Sequence, residues 1–420
     1  MFRFVVYDNH TAMKHLTPIY FDHAATTQVA PEVLEAMLPY FGKEYGNPSS
    51  MYASGRKARA VMERERKNIA TILGSEAEEI LFTGSGTESD NMAILGIARA
   101  NRSYGNHILV SSIEHKAVLE AAKQLSKEGF LIEYIPVNKE GLIDVEDCMA
   151  RITDATILIS VMYANNEIGT IQPIKELGRR IQEVRSRKQE TPNEERRTKN
   201  DACPIFHTDA CQAAGHLSLD VRTLGVDCMT INGSKIYGPK GVGVLYKRNS
   251  VPIEPIIFGG GQERALRSGT ENLPSIVGMS YALTRVEKRR EEESKRLIAL
   301  RDYCMSELVC ILPDVVINGS CTSRLPNNIH ISVPFVEGES MVLMLDEEGI
   351  EASTGSACSA SDLQVSHVLT AINQDTSLMH GSLRFSFGEA TTKEECDYLL
   401  TVLPGIIKRL RSMSPLTISL

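Results

Sequence analysis

Three stretches of this chain combine residue types and spacings that could do chemistry. The first, "EILFTGSGTESDNMAIL" (79–95), reads as an apolar strand, a Gly-Ser-Gly-Thr turn and a helix opening at Glu88. Backbone N–H groups at such a helix start, with the hydroxyls of Ser85 and Thr87, suit an anion such as phosphate. An ordinary turn with a serviceable cap reads the same way. No Gly-Lys-Ser/Thr follows, so this is not a Walker A loop, and Ser89 stands where a dinucleotide fingerprint needs its third glycine. The second, "PIFHTDACQAAGH" (204–216), ends an apolar strand on Asp209, with Gln212 three residues on. An acid at the carboxyl end of a strand lies where open α/β sheets bind ligands, or it simply caps the next helix. The third, "VDCMTINGSKIYGPKGVGVLY" (226–246), runs out of a strand through Asn232, Gly233 and Ser234 and delivers Lys235 into a glycine-rich turn. A lysine held there can become a covalent catalyst if its pKa is lowered, whereas most lysines are surface charges.

One ligand explains all three stretches. Pyridoxal phosphate needs an anion site for its phosphate, an acid to keep its pyridine nitrogen protonated, and a lysine to bond its aldehyde. A fourth stretch, "EASTGSACSASD" (351–362), sets Cys358 among small residues that cannot pack a core, so it reads as a surface loop carrying a thiol.

The elements that must position these residues follow from the apolar pattern. From about residue 32 to 265, short β-branched runs such as "HILVSS", "ATILISVMYAN" and "GVGVLY" alternate with helical stretches such as "PEVLEAMLPYFG". That alternation predicts βαβ units and a mostly parallel, doubly covered sheet. A charge-rich helical stretch from 280 to 312 then leads into "DVVINGS", "NNIHISVP" and "SLRFSFG", the texture of a smaller α+β domain. The expected division is an N-terminal segment 1–28 joining the small domain, a large domain 29–291 and a small domain 292–420.

Composition bounds the function. At 420 residues the chain exceeds the size of a single core, so two domains are natural. A formal net charge of -8 gives no electrostatic reason to expect nucleic acid, and no run approaches a membrane span. The first twenty residues hold too short an apolar patch for a secretory signal, so a cytoplasmic location is expected. Nine cysteines without a C-x-x-C pair predict free thiols and no metal site. The segment 183–201, dense in mixed charge, reads as a solvated loop or frayed helix end.

Ten motifs in order carry a resemblance: "YFDHAATT" (20–27), "YGNPSS" (45–50), "TGSGTESDN" (83–91), "IEHKAV" (113–118), "NNEIG" (165–169), "HTDACQ" (207–212), "KIYGPKG" (235–241), "GGGQERALRSGTEN" (259–272), "GSACSAS" (355–361) and "LRFSFG" (383–388). They resemble the motifs of cysteine desulfurases, fold-type I pyridoxal-phosphate enzymes, over about residues 18–415. The resemblance implies that Gly86 and Thr87 bind the phosphate and that His115 stacks on the pyridine ring and assists proton transfer. It implies that Asn166 contacts the ring-side oxygen and the substrate, Asp209 the ring nitrogen and Gln212 the phenolic oxygen. Lys235 would bond the cofactor and Arg384 would pair with the substrate carboxylate. Thr270 would reach the phosphate of a neighbouring subunit, which implies a homodimer. Cys358 would take sulfur from L-cysteine as a persulfide and release L-alanine, supplying an acceptor protein for iron–sulfur cluster assembly or tRNA thiolation. Where the family commonly has a serine, a small residue and a histidine before the lysine, this chain has Asn232, Gly233 and Ser234, which puts the phosphate contacts in question. A selenocysteine lyase of the same fold is the nearest alternative. An aminotransferase needs no loop thiol, and a non-enzymatic redox or scaffold protein would not need this residue set.

Overall fold

The structure, a computed structural model, describes residues 18–189, 204–355 and 365–413. Its centre is a seven-stranded sheet of β2 (Ile80–Thr83), β3 (His107–Ser111), β4 (Leu131–Ile135), β5 (Thr156–Ser160), β6 (Ile205–Asp209), β7 (Cys228–Asn232) and β8 (Gly243–Lys247). The order is β2-β8-β7-β6-β5-β3-β4, parallel except for β8, which runs antiparallel to both neighbours. Every residue of β2, β3, β5, β6 and β8 is buried, the signature of a sheet covered by helices on both faces. That is why these strands read as continuous apolar runs rather than alternating ones.

One apolar cluster lies on each face of this sheet. One joins Phe82, Leu109 and Phe206 to the helix Ala53–Leu73, and the other joins Leu81, Ile108 and Leu158 to the helix Lys116–Lys127. The helix Ala53–Leu73 stops on Gly74 at φ +66°, a left-handed cap that favours glycine.

A third cluster is built on a separate antiparallel sheet of β9 (Val316–Ile317), β10 (Asn328–Ser332) and β12 (Ser382–Ser386). The N-terminal strand β1 (Ile19–Tyr20) pairs parallel with β11 (Ile350–Glu351), and Ile19 and Phe21 pack into this cluster. One helix, Leu273–Ile311, 39 residues long, connects the two cores; the expected division at 291/292 falls inside it. Asn272 caps its start, accepting from the Ser275 N–H. Its Leu273–Val286 stretch packs into the large core and its Leu297–Leu308 stretch into the small one. We propose that the chain divides within this helix.

Two local readings are refined. The helix after the glycine turn begins at Gly86, not Glu88, because Ser85 is the N-cap and its side chain accepts from the Glu88 N–H. It runs through a π-helical turn at Met92–Gly96 to Ala100. The charged stretch starts as helix: Ile174–Gln189 is continuous, and Arg185 is anchored on buried Asp227 and on the Pro204 carbonyl. Residues 190–201 of that stretch lie outside the described residues, as does Cys358.

Candidate active site

The carboxyl edge of the large sheet gathers the chemistry. From β2 the chain enters the helix at Gly86; from β3 it reaches His115; from β5 it reaches Asn166; β6 ends on Asp209 and β7 leads to Lys235. These residues line a partly enclosed cavity of about 300 Å³, with Thr87, Gln212, Asn232, Gly355 and Arg384. Larger, more open clefts run beside the helix Ile174–Gln189, about 580 and 780 Å³, but none of these residues lines them. Enclosure and convergent polar groups decide for the smaller cavity.

Each side chain is held by bonds that can be named. Lys235 Nζ donates to the Ala24 carbonyl at 2.9 Å and also to the Ala25 carbonyl, so the N-terminal "HAATT" segment fixes its position. Gln212 Nε2 donates to the same Ala24 oxygen at 2.9 Å. His115 Nδ1 accepts from the Ala117 N–H at 3.1 Å, which leaves the ring proton on Nε2; burial, and then Lys235, hold its pKa below the usual value. Asp209 accepts from the Cys211 N–H at 2.8 Å and is 6% exposed.

Gly86 allows close approach at the helix start. A Cβ there would lie 2.9 Å from Cys211 Sγ and 3.3 Å from Asn232 Nδ2, so a side chain would fill the cradle. In the turn before Lys235, Asn232 Oδ1 accepts from both the backbone N–H and the hydroxyl of Ser234, at 2.9 and 3.0 Å. The Asn232 amide therefore points its Nδ2 toward Gly86, while the Ser234 hydroxyl is spent on Asn232. Ser234 does not line the cavity. Thr270 is exposed on the 259–272 turn and does not line the cavity of its own chain either.

Arg384 sits on β12 opposite His330 of β10 and is 3% exposed. Its Nη1 donates to the Asn166 carbonyl at 2.8 Å, and its Nη2 to Asp22 Oδ1 at 2.6 Å.

Four polar residues escaped the sequence reading. Asp90 and Cys211 line the cavity floor beside Asp209, Asp22 grips Arg384, and Glu114 is buried directly before His115. The spacing of Asp90 from Gly86, four residues on one helix, was the available signal, since i and i+4 share a face. Burial, reinforced by Asp209, holds the Asp90 carboxyl well above the usual range, and burial lowers His207 to about 4. The 3.8 Å approach of Asp90 Oδ1 to His207 Nε2 is thus a contact between neutral groups, not an ion pair. Burial and the Asp209 charge also push the Cys211 thiol far up, which makes it a poor nucleophile at neutral pH.

Comparison with known proteins agrees with this geometry. A family model described as aminotransferase class-V matches residues 19–187 and 189–399. The chain is 48% identical over 397 residues to cysteine desulfurase IscS of Dictyoglomus turgidum, covering 94% of this chain and 96% of that one. It is 47% identical over 399 residues to cysteine desulfurase IscS of Methanosarcina thermophila, covering 95% and 94%. Among solved structures it resembles a NifS-like protein with TM-score 0.84 and 35% identity, covering 94% of this chain and all of the other. It also resembles SspA in complex with cysteine, with TM-score 0.73 and 32% identity, covering 88% and 98%. The fold is that of the fold-type I pyridoxal-phosphate enzymes. The chain belongs to the class-V aminotransferase family and, within it, to the cysteine desulfurases.

Proposed function

We propose that this chain is a pyridoxal-phosphate-dependent cysteine desulfurase that converts L-cysteine to L-alanine and passes the sulfur through Cys358 to an acceptor for iron–sulfur assembly or tRNA thiolation. The observation that carries the reading is the convergence of Lys235, Asp209 and the Gly86 helix start on one partly enclosed cavity.

The residues present fit the cofactor. Asp209 is an acid at the strand end with a backbone donor fixing its orientation, and the Gly86 cradle has no room for a side chain. Gly86 and Thr87 would hold the phosphate with the Asn232 amide, which stands in for the usual side-chain donors; Ser234 supports Asn232 rather than touching the ligand. Asp209 would face the ring nitrogen, Gln212 the phenolic oxygen and His115 the ring face. When bound, pyridoxal phosphate supplies an electron sink for bonds at the substrate α-carbon. Lys235 Nζ would bond the cofactor and, once released, take and return the α-proton. His115, neutral and protonated on Nε2, can assist proton transfer. Arg384 would bind the substrate carboxylate with Asn166 beside it. Cys358 would attack the substrate sulfur as a thiolate and carry it away as a persulfide.

The large apolar side chains exposed between residues 34 and 52, among them Phe41 at 62% and Met51 at 87%, support a homodimer, in which Thr270 would serve the partner's phosphate site. No helix among the described residues is long and apolar enough to cross a membrane, in keeping with a cytoplasmic enzyme.

The decisive test is Cys358→Ala. It should keep the yellow cofactor and still bind L-cysteine, yet lose alanine production. Wild-type protein given cysteine without reductant should gain one sulfur on the peptide that holds Cys358. Alanine formation by the variant at the wild-type rate would refute the sulfur-transfer role.

A further inference from the structure

The pairing of Arg384 with a carboxylate of its own chain bears on which ligands the cavity accepts. Asp22 lies in the N-terminal segment, stitched onto the strand that carries Arg384. Asp22 bridges Ser386, the Phe21 carbonyl accepts from the Ser386 N–H at 2.7 Å, and the Ala24 N–H donates to Ser386 Oγ at 2.8 Å. The result is a fixed contact at 2.6 Å between Asp22 Oδ1 and Arg384 Nη2. Arg384 also donates through Nη1 to the Asn166 and Gly355 carbonyls, at 2.8 and 3.4 Å, and among the described residues its buried Nε has no partner. The guanidinium is thus oriented from two sides, and its charge is already matched before any ligand arrives.

Among the described residues, the other ionisable groups nearby do not alter that balance. Glu167 accepts from Ser366 Oγ at 2.5 Å, and burial favours its protonated form. His330, across the sheet from Arg384, is kept neutral by burial and by the arginine, its pKa lowered to about 3. Among the described residues, Asp22 is the carboxylate in contact with the guanidinium.

Resting on the reading that Arg384 receives the substrate carboxylate, we propose that Asp22 is a specificity-determining residue that cancels the arginine's charge, so that a carboxylate or inorganic anion alone binds poorly and the ligand must also bring an amino group to the Lys235 side. An uncompensated arginine this deeply buried would attract any small anion, because charge attraction is stronger away from bulk water. With Asp22 present, the ligand gains mainly from directed hydrogen bonds, and the product's carboxylate is not trapped.

Asp22→Asn isolates the charge, since the amide oxygen can still accept from Nη2. The measurement is competitive inhibition of the holoenzyme by acetate and by sulfate, at constant ionic strength, against L-cysteine. We expect the ratio of the acetate inhibition constant to the KM for cysteine to fall about tenfold in the variant. Sulfate should follow the same trend. Asp22→Ser, a second neutral replacement, should move in the same direction and covers the case that the asparagine variant folds poorly. Ratios within twofold of wild type in both variants, or inhibition that is not competitive with cysteine, would overturn the proposal. Arg384→Gln is the control for the underlying reading: if it leaves the KM for cysteine unchanged, the carboxylate does not bind at Arg384 and that reading falls instead.

Discussion

At the scale of single residues, the cavity works by deciding which buried groups are charged. Three buried carboxyls lie within electrostatic reach of one another at this end of the sheet, Asp90 and Asp209 on the cavity and Glu114 beside it. Two of them, Asp90 and Glu114, are driven toward the protonated form, chiefly by burial and then in part by Asp209. Asp209, held by the Cys211 N–H at the end of β6, is the acid that would face a ring nitrogen. Glu114 makes this testable. Its Oε1 accepts from Ser111 Oγ at 2.8 Å and from the Met162 N–H at 2.5 Å, and burial raises its pKa to about 8 from the ordinary 4.5. The folded protein therefore holds a proton that the unfolded chain has lost between those values. Stability falls as pH rises through that window and levels off above it. Glu114→Gln keeps the acceptor oxygen and cannot ionise. Its melting temperature relative to wild type should rise from pH 5 to about pH 8 and then level off, and a difference that does not vary with pH would show that Glu114 is not held protonated.

Among the elements, the turn 259–272 shows how a strained segment is fixed. Glu263, Arg264 and Ala265 all adopt left-handed backbone angles, φ 44°, 58° and 62°, a conformation that non-glycine residues keep only when their surroundings impose it. The surroundings here are Arg66, on the helix Ala53–Leu73, and strand β2. Arg66 grips Glu263 with both arms, at 2.6 and 2.8 Å, and Glu263 also accepts from the Phe82 N–H at 2.9 Å. The guanidinium lies 4.7 Å from the centre of the Phe82 ring. Both partners are buried, so removing Glu263 leaves the Arg66 charge to the half-exposed Glu63 at 3.2 Å. Glu263→Ala should cost about 3–5 kcal/mol in urea unfolding. Adding Arg66→Met should recover much of that loss, and a double variant no more stable than the single one would show that the pair acts otherwise.

For the whole molecule, the open question is which chain completes the site. Thr270 follows the clamped turn and is exposed, outside the cavity of its own subunit. If it serves the neighbour, a heterodimer of Lys235→Ala and Thr270→Ala subunits holds one site with both lesions and one intact site. Half of the sites should then bind pyridoxal phosphate with wild-type affinity and turn over cysteine, while neither homodimer does both. If Thr270 acts within its own chain, no site in the heterodimer is intact, and cofactor titration would find none of wild-type affinity.

The chemistry was legible in the sequence wherever it rests on local signals. A glycine turn ahead of a helix, an acid at a strand end, and a lysine thrown out of a buried strand into a glycine-rich loop are set by a few neighbouring residues, and all three lie on one cavity. The parallel sheet was legible for the same reason, because burial on both faces writes continuous apolar runs. Tertiary structure alone decided what surrounds those residues. Asp22 and Arg384 are 362 positions apart, and no local pattern marks that pair. Asp90 and Cys211 enter the cavity only because the sheet lays β6 and β7 side by side beneath the first helix turn, and the sequence shows the long helix as charge-rich but not that its two ends pack into different cores. Such contacts depend on which distant surfaces pack together, and it is there that burial fixes which groups carry charge.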